Sequence, residues 1–340
     1  MNNSLRKRPY TAVVCSESML EVGPDTDRES WEMQFESLPN VERVTPELCQ
    51  PIRKYLSSLS SVDTYSISMA YYLFTGRKGL WVFYGDRGFG LVCWHPNVEG
   101  RILVFLPGGL DTGIIHQIMD CMPPPPKGAQ LSRVLPEWSD ALRRECGLRP
   151  CKEEILDWIF PCHLIDVKEV AGLQGGQFSS VRLWVNRAKR YGVQYMPFSS
   201  KLHGSSCADV TLSWAKNRND SSLNLEDYCS PHLYLLKLSG TQELSLEGLA
   251  YHIEGHLKGY AIWEKSAGKI KIANCFGGVV DPGIKGLMDF SVYALCQTLA
   301  RQGVDFVNLG GSETHGLDQF KRKFQPSTSY QLCSMEISSI

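Results

Sequence analysis

Short apolar runs of strand length, gathered into two separate groups, constrain this chain most. The first group is LWVFYG (80–85), FGLVCWH (89–95) and RILVFLP (101–107). The second is LYLLKLSG (233–240), LEGLAYHIEGHLKGYAIWEK (246–265), KIKIANCF (269–276) and DFVNL (305–309), preceded by ILDWIFP (155–161). Connections such as Asp86-Arg87-Gly88 are too short for a crossover, so neighbouring runs pair antiparallel. Helical periodicity falls between and after them: TPELCQPIRKYLSSL with Thr45 as N-cap and Pro46 at the first turn, IIHQIMDCM, and segments at roughly 128–146, 181–190, 207–217 and 284–301. Pro51 is expected to split the first of these helices, and the four prolines 123–126 make a stiff connector. The class is α+β (mixed α/β), with two mostly antiparallel sheets flanked by helices. At 340 residues the chain accommodates two domains, read as 41–150 and 151–340 after a flexible leader over 1–40.

Hydrophobic residues make up 43% and charged residues 21%, with a net charge of −1. Such a balance fits a soluble globular protein and excludes a globally basic nucleic-acid coat, so any RNA contact is a local patch. Twelve cysteines without a Cys-x-x-Cys pair point to reduced thiols and a cytoplasmic setting. No signal-peptide core and no transmembrane segment is expected, since no window of membrane-spanning length is apolar.

Three constellations carry chemistry. In VNLGGSETHGLDQFKRKFQP (307–326) an apolar strand stops on Gly310-Gly311 and meets Ser312, Glu313, His315 and Lys321. Glycines at a strand end let a ligand approach the backbone, and the acid and histidine can move protons. In GGVVDPGIKG (277–286) glycines between a strand and a helix start could face an anion, with Asp281, Gly283, Lys285 and Gly286 holding a donor phosphate; the plain alternative is a turn with Asp281 as helix cap. In VRLWVNRAKR, Arg182, Asn186 and Lys189 or Arg190 share a helix face. His252-Ile-Glu-Gly-His256 suggests a metal pair only if helical; Gly255 and the surrounding strand pattern indicate a hairpin, and no metal is expected. No P-loop, Rossmann fingerprint or Gly-x-Ser-x-Gly elbow is present.

The second half resembles the C-terminal domain of the phosphatidylglycerol lysyltransferase family, part of the wider GNAT-like (acyl-CoA N-acyltransferase) fold. The likeness lies in Asp157-Trp158-Ile159-Phe160, in Gly175, Arg182 and Asn186 at family spacing, and in Val307-Asn308, Gly316-Leu317, Lys321 and Phe324-x-Pro326. Leu309 to Ser312 stand where the family carries acidic residues, and Asp318 where it often has arginine. The resemblance implies two tandem GNAT-like acyltransferase domains. It implies an enzyme that moves an aminoacyl group from aminoacyl-tRNA to an amine or hydroxyl of a small-molecule or lipid acceptor, with no tightly bound cofactor. On that footing Glu313, Ser312, His315 and Lys321 are the catalytic candidates. Asp157, Arg182, Asn186, Asn308, Gly310 and Gly311 would bind substrate, with backbone N–H groups near Gly310 or Gly311 holding the oxyanion. Arg187, Lys189 and Arg190 form the tRNA patch. The strand before Gly310 is expected to splay from KIKIANCF and open a cleft. An acyl-CoA donor is the first alternative, although Gly283 and Gly286 are one residue too far apart for the usual CoA motif. A catalytically silent binding protein of the same fold is the second.

Overall fold

The computed structural model describes residues 26–337 apart from 87, 153–155, 157, 218–224, 242–243 and 267–269. The first lobe runs α1 (Thr26–Glu36), β1 (Val41–Arg43), α2 (Pro46–Ser58), a 3-10 turn (Thr64–Ile67), α3 (Met69–Thr75), β2 (Leu80–Tyr84), β3 (Phe89–Trp94), β4 (Ile102–Phe105), α4 (Thr112–Cys121), β5 (Ala129–Val134), α5 (Pro136–Cys146) and β6 (Arg149–Pro150). The second runs β7 (Cys162–Asp166), α6 (Val167–Gly172), α7 (Ser179–Lys189), β8 (Gln194–Pro197), α8 (Ser200–Lys216), α9 (Leu225–Leu238), β9 (Leu246–Ile253), β10 (His256–Lys265), β11 (Ile272–Val280), α10 (Leu287–Arg301), β12 (Phe306–Asn308), α11 (His315–Arg322), β13 (Thr328–Tyr330) and β14 (Cys333–Ile337).

Two seven-stranded sheets result, and their layouts match. One reads β1-β2-β3-β4-β5-β14-β6; the other, taken from its far edge, reads β8-β9-β10-β11-β12-β7-β13. Each holds one parallel pair, β4 with β5 and β11 with β12, amid antiparallel neighbours. The chain leaves the first sheet after β6 to lay β7 in the second, and leaves the second after β13 to lay β14 in the first. The lobes thus exchange a strand, and residues 333–337, expected in the second domain, complete the first sheet. Sequence order does not tell a strand which sheet to join.

Several expectations need correction. Residues 26–36, expected in a flexible leader, form α1: Trp31 and Phe35, four apart, stack at 4.7 Å, and Trp31 packs edge-on against Trp94 and Trp81. The segment at 128–146 is not one helix. AQLSRV is a strand buried at every position, and α5 starts at Pro136 and stops at Gly147 in the left-handed region. The described part of 155–161 is not a strand; Leu156 and Trp158 are core residues, Phe160 makes one bridge to Ser312, and pairing begins after Pro161, which has no N–H to give. LYLLKLSG belongs to α9 instead of a strand. Its run is apolar because α8 and α3 cover it, and an all-apolar run has no telling period. Gly277-Gly278 is no turn. β11 continues through both, paired with Ile262 and Ala261, and a side chain at Gly277 would meet the His232 ring at 3.3 Å. α2 runs through Pro51 unbroken. The 254–255 hairpin is as expected: Glu254 and Gly255 both have positive φ, and His252 and His256 sit on opposite arms.

Helices α6, α7 and α10 enclose one core against the second sheet, and α8 and α9 another on its opposite face. The core under α2 and α3 is shared: Leu56, Met69 and Tyr72 of the first lobe join Trp158, Leu238, Leu244 and Leu332. A fully buried side chain of this size contributes about 1.5–3 kcal/mol, so the lobes are fused by an apolar interface. That fusion holds the polar centre described next.

Candidate functional site

Glu264, Asn274 and Asn308 stand opposite one another on β10, β11 and β12, and therefore form one row on a single sheet face. All three are buried. Pairing between β11 and β12 ends at Asn274 and Asn308, after which β11 follows β10 alone; the expected splay is present.

The first lobe fills that opening. The Thr64 hydroxyl donates to Asn274 Oδ1 (2.5 Å), Asn274 Nδ2 donates to the Thr64 carbonyl (3.1 Å), and Asn308 Nδ2 donates to Thr64 Oγ1 (3.0 Å). The Tyr65 hydroxyl bridges the two diverging strands, 2.6 Å from the Cys275 carbonyl and 3.1 Å from that of Asn308. Behind this contact Arg133 forks onto both oxygens of Asp63 at 2.5 Å, each side chain 2% exposed. Its guanidinium lies 4.6–5.2 Å from the rings of Tyr71, Tyr65 and Trp158. Tyr330 completes the chain, donating to Asp63 Oδ1 (2.9 Å) and accepting from Asn308 Nδ2 (2.9 Å). Burial and then the Asp63 charge push the Tyr330 phenol well up, so it stays a donor.

The matched register exposes a difference between the lobes. Val104 pairs with Leu131 at the end of the first parallel pair, as Asn274 pairs with Asn308 in the second. Two residues further on, both chains enter the left-handed region, at Arg133 (φ 59) and at Gly310 (φ 69). The second lobe uses glycine there, which carries no penalty; the first uses an arginine, which costs about 1–2 kcal/mol and is held by Asp63.

Around Gly310 the chain is tightly tied. Its N–H donates to Asn308 Oδ1 (2.9 Å), so the expected oxyanion donor at this position is already engaged. Its carbonyl accepts from His163 N (3.2 Å) and from Lys321 Nζ (3.3 Å), and Lys321 also donates to the Gly311 carbonyl. Lys321 is 9% exposed. Its charge opposes the effect of burial on Cys275, whose thiol is pushed up to about 11. Ser312 is wholly buried, and its hydroxyl has no hydrogen-bond partner among the described residues. Glu313 is exposed just before the N-cap of α11, and His315 is exposed at its first position, beside the Phe160 ring at 5.9 Å.

His163, on β7, sits under this loop. A carboxylate only accepts, so Nε2 carries the proton to Asp318 (2.7 Å) and Nδ1 accepts from the Ser329 hydroxyl (2.7 Å). Burial holds His163 below its ordinary range against the pull of Asp318. Burial would raise Asp318, but hydrogen bonds from Arg322 and His163 outweigh it and hold its carboxyl low. Both groups therefore bind fewer protons folded than unfolded. Stability is expected to fall as pH drops below about 6.5, and further below about 3.8. Urea midpoints from about pH 5 to about pH 8 should show the upper limb shrinking in His163→Gln. The remainder would belong to His95 and His203, also held low by burial. An unchanged limb would mean that His163 is not the group responsible.

The other sequence candidates lie elsewhere. Arg182 turns back onto the carbonyls of Leu173 (2.5 Å) and Gly175 (2.6 Å), closing the loop before α7 instead of presenting a free guanidinium. Asn186 is exposed on α7. Asp281 accepts from Gly283 N (2.9 Å) and pairs with Lys258, while Lys285 is exposed. Gly286 precedes α10 with φ 87, and a side chain there would stand 2.3 Å from the Trp184 carbonyl. This turn serves close packing of α7 on α10, with a carbonyl oxygen against it; a phosphate cradle does not fit. Arg187, Lys189 and Arg190 are exposed, Arg187 over Trp184 and Lys189 over Tyr293. Asp157 lies outside the described residues. Sequence reasoning missed Asp63, Thr64, Tyr65, Arg133, His163, Glu264 and Tyr330. A basic residue within a strand-length run, Arg133 in QLSRV and His163 in CHLID, was the available signal for those two.

The family described as phosphatidylglycerol lysyltransferase, C-terminal, matches residues 163–332. No curated protein sequence matches the chain. Among solved structures, a conserved protein of unknown function from Bacteroides thetaiotaomicron is 16% identical, over 88% of this chain and 99% of that one, with TM-score 0.66. The L-PGS of Bacillus licheniformis is 17% identical over 87% and 92%, TM-score 0.61. The C-terminal domain of a putative lysylphosphatidylglycerol synthetase from Agrobacterium fabrum is 15% identical over 86% and 93%, TM-score 0.59. At such identities the likeness concerns the fold, and the fold is tandem GNAT-like, as expected from the sequence.

Proposed function

The chain belongs to the phosphatidylglycerol lysyltransferase C-terminal family, and from that premise we propose that it moves an aminoacyl group from aminoacyl-tRNA to an amine or hydroxyl of a small-molecule or lipid acceptor. Transferase chemistry of the acyl type is common ground among its relatives; donor and acceptor are the proposal. The observation that carries the donor is Tyr65. Its hydroxyl occupies the Cys275 and Asn308 carbonyls at the splay. An extended pantetheine arm entering between β11 and β12 would need such strand-edge groups. With them taken from the first lobe, an acyl-CoA donor is disfavoured. A tRNA would deliver its acyl ester from outside and lie on the exposed cations of α7.

In this reading the acceptor's lone pair attacks the ester carbonyl, the bond to the terminal ribose oxygen breaks, and that oxygen takes up a proton as it leaves. Lys321, fixed at the strand end by two carbonyls, offsets the charge on the developing oxyanion, since the Gly310 N–H is engaged. Glu313, at the exposed rim, takes the acceptor's proton, with His315 or Ser312 as alternates. No helix among the described residues is long and apolar enough to cross a membrane.

Binding is the first test. Affinity for aminoacyl-tRNA should fall steeply with salt, and changing Arg187, Lys189 and Arg190 to alanine should lower the log–log slope by about 3. Tight, salt-insensitive binding of acetyl-CoA without tRNA binding would overturn the donor assignment.

A further inference from the structure

His163 joins two side chains that reach it from different elements. On β7 it stands directly opposite Ser329 of β13, so both side chains lie on one face of the sheet. Helix α11 brings Asp318 to the other ring nitrogen. The result is an unbroken chain: the Ser329 hydroxyl donates to Nδ1 at 2.7 Å, and Nε2 donates to Asp318 Oδ1 at 2.7 Å. Burial falls away along it. Asp318 and His163 are buried, whereas Ser329 is exposed on β13, the edge strand of its sheet.

A buried histidine needs a partner at each nitrogen, and a purely structural chain would meet that need. Two features go further. The serine end is the end open to solvent, so a reactant reaches the hydroxyl without entering the core. The protons are also arranged as a base requires. Against its burial, Asp318 is held low by hydrogen bonds from Arg322 and His163, so it is ionised. It fixes the proton on Nε2 and leaves the Nδ1 lone pair facing the hydroxyl. Burial keeps His163 below its ordinary range, so near neutral pH the ring is unprotonated and can take a proton. A hydroxyl, an imidazole and an orienting carboxylate, each within about 2.6–3.2 Å of the next, make an activated serine whatever the fold and the order in the chain.

We propose that Ser329 is a nucleophile toward activated acyl esters, with His163 as its general base and Asp318 as the residue that positions His163. The Ser329 oxygen attacks the ester carbonyl while its proton passes to His163 Nδ1. The bond to the alcohol oxygen breaks, and that oxygen leaves with the proton from Nδ1. Water attacks the acyl-serine by the same route: Nδ1 takes a proton from the water, the carboxylic acid departs, and the proton returns to Ser329. Arg322, exposed and bonded through Nε to Asp318, offsets the charge of the oxyanion. This activity goes beyond transfer from tRNA. Strands β12 and β13 flank β7, which puts Ser329 roughly 10 Å from Asn308 at ordinary strand spacing, and no step uses Lys321.

The test uses the full chain and 4-nitrophenyl acetate, following nitrophenol release by absorbance and the acetyl group by peptide mass spectrometry of acid-quenched samples. Wild type should release nitrophenol and carry acetyl on the peptide that contains Ser329. Ser329→Ala, a change on an exposed edge strand, should keep a cooperative melting transition and lose both. His163→Gln should slow the release by about 10²-fold or more, as expected for loss of a general base. Asp318→Asn withdraws the charge that raises His163 against Lys321 and Arg322, so the acid limb of the release rate should move to lower pH. A carboxylate that only braces the fold would change the melting temperature without moving that limb. No release by wild type, or release at the same rate in Ser329→Ala, overturns the proposal; an unmoved limb in Asp318→Asn overturns the part given to Asp318. Release that depends on Ser329 in a protein that binds no aminoacyl-tRNA sinks the donor assignment and leaves this centre standing.

Discussion

Lys321→Ala is expected to lower aminoacyl transfer by roughly 10²-fold or more, because the ammonium is the one buried cation at the end of the second parallel pair among the described residues and, in the proposed reaction, the oxyanion would form beside it. The substitution also strips the Gly310 and Gly311 carbonyls of a donor, at about 1–3 kcal/mol for each group left unsatisfied. Two variants separate these effects. Lys321→Met keeps the aliphatic stem and should lose the same rate, with the same loss of stability. Lys321→Arg keeps the charge, so a partial recovery of rate would show that charge at this position is what the reaction uses. Full activity in Lys321→Met would remove Lys321 from the chemistry.

Asp63→Ala is expected to destabilise the protein by about 3–5 kcal/mol, the usual cost of leaving one member of a buried ion pair alone. Arg133 would then stay charged among Tyr65, Tyr71 and Trp158 with no other carboxylate paired to it among the described residues. Replacing both residues, Asp63→Ala with Arg133→Gly, should recover much of that loss, since it removes the stranded charge and the left-handed strain at Arg133 together. Urea unfolding of the two single variants and the double one measures the coupling. Tyr330→Phe isolates the functional part: it cuts Asp63 from Asn308 without touching the ion pair. Transfer should fall more than stability does, because Asn308 holds the Gly310 N–H. Equal costs in single and double variants would mean that the pair is not coupled.

The two sheets were readable because short strands with tight turns between them leave few pairings open, and the hairpin at Glu254-Gly255 carries its own turn chemistry. The strand before Gly310 was readable for the same reason, through a run that ends on glycines, whereas the splay beside it was expected only from the family resemblance. Runs covered on every side were not: LYLLKLSG is nearly all apolar, so periodicity cannot separate strand from helix, and AQLSRV buries Gln130, Ser132 and Arg133 along with its apolar residues, so its polar positions do not mark a solvent face. The centre itself was half legible. Lys321 and Asn308 lie within one stretch of chain. Asp63 and Arg133 are 70 residues apart, and Tyr330 is 267 from Asp63, so only the folded chain brings them together. Gly286 and Arg182 misled because a glycine-rich turn and a helical basic residue look alike whether they meet a phosphate or a neighbouring backbone carbonyl.

The central claim is that the loop at Gly310, held by Lys321 on one side and by the first lobe on the other, transfers an aminoacyl group taken from tRNA. The most direct measurement is a single-turnover chase. tRNA charged with a mixture of labelled amino acids is mixed with excess protein, together with lipid and small-molecule extracts as acceptors, and the label is followed from tRNA into product. The account predicts that wild type moves label for at least one amino acid into a tRNA-free product and that Lys321→Ala leaves it on the tRNA. Label that stays on tRNA with wild type, or that moves equally fast with Lys321→Ala, would contradict it.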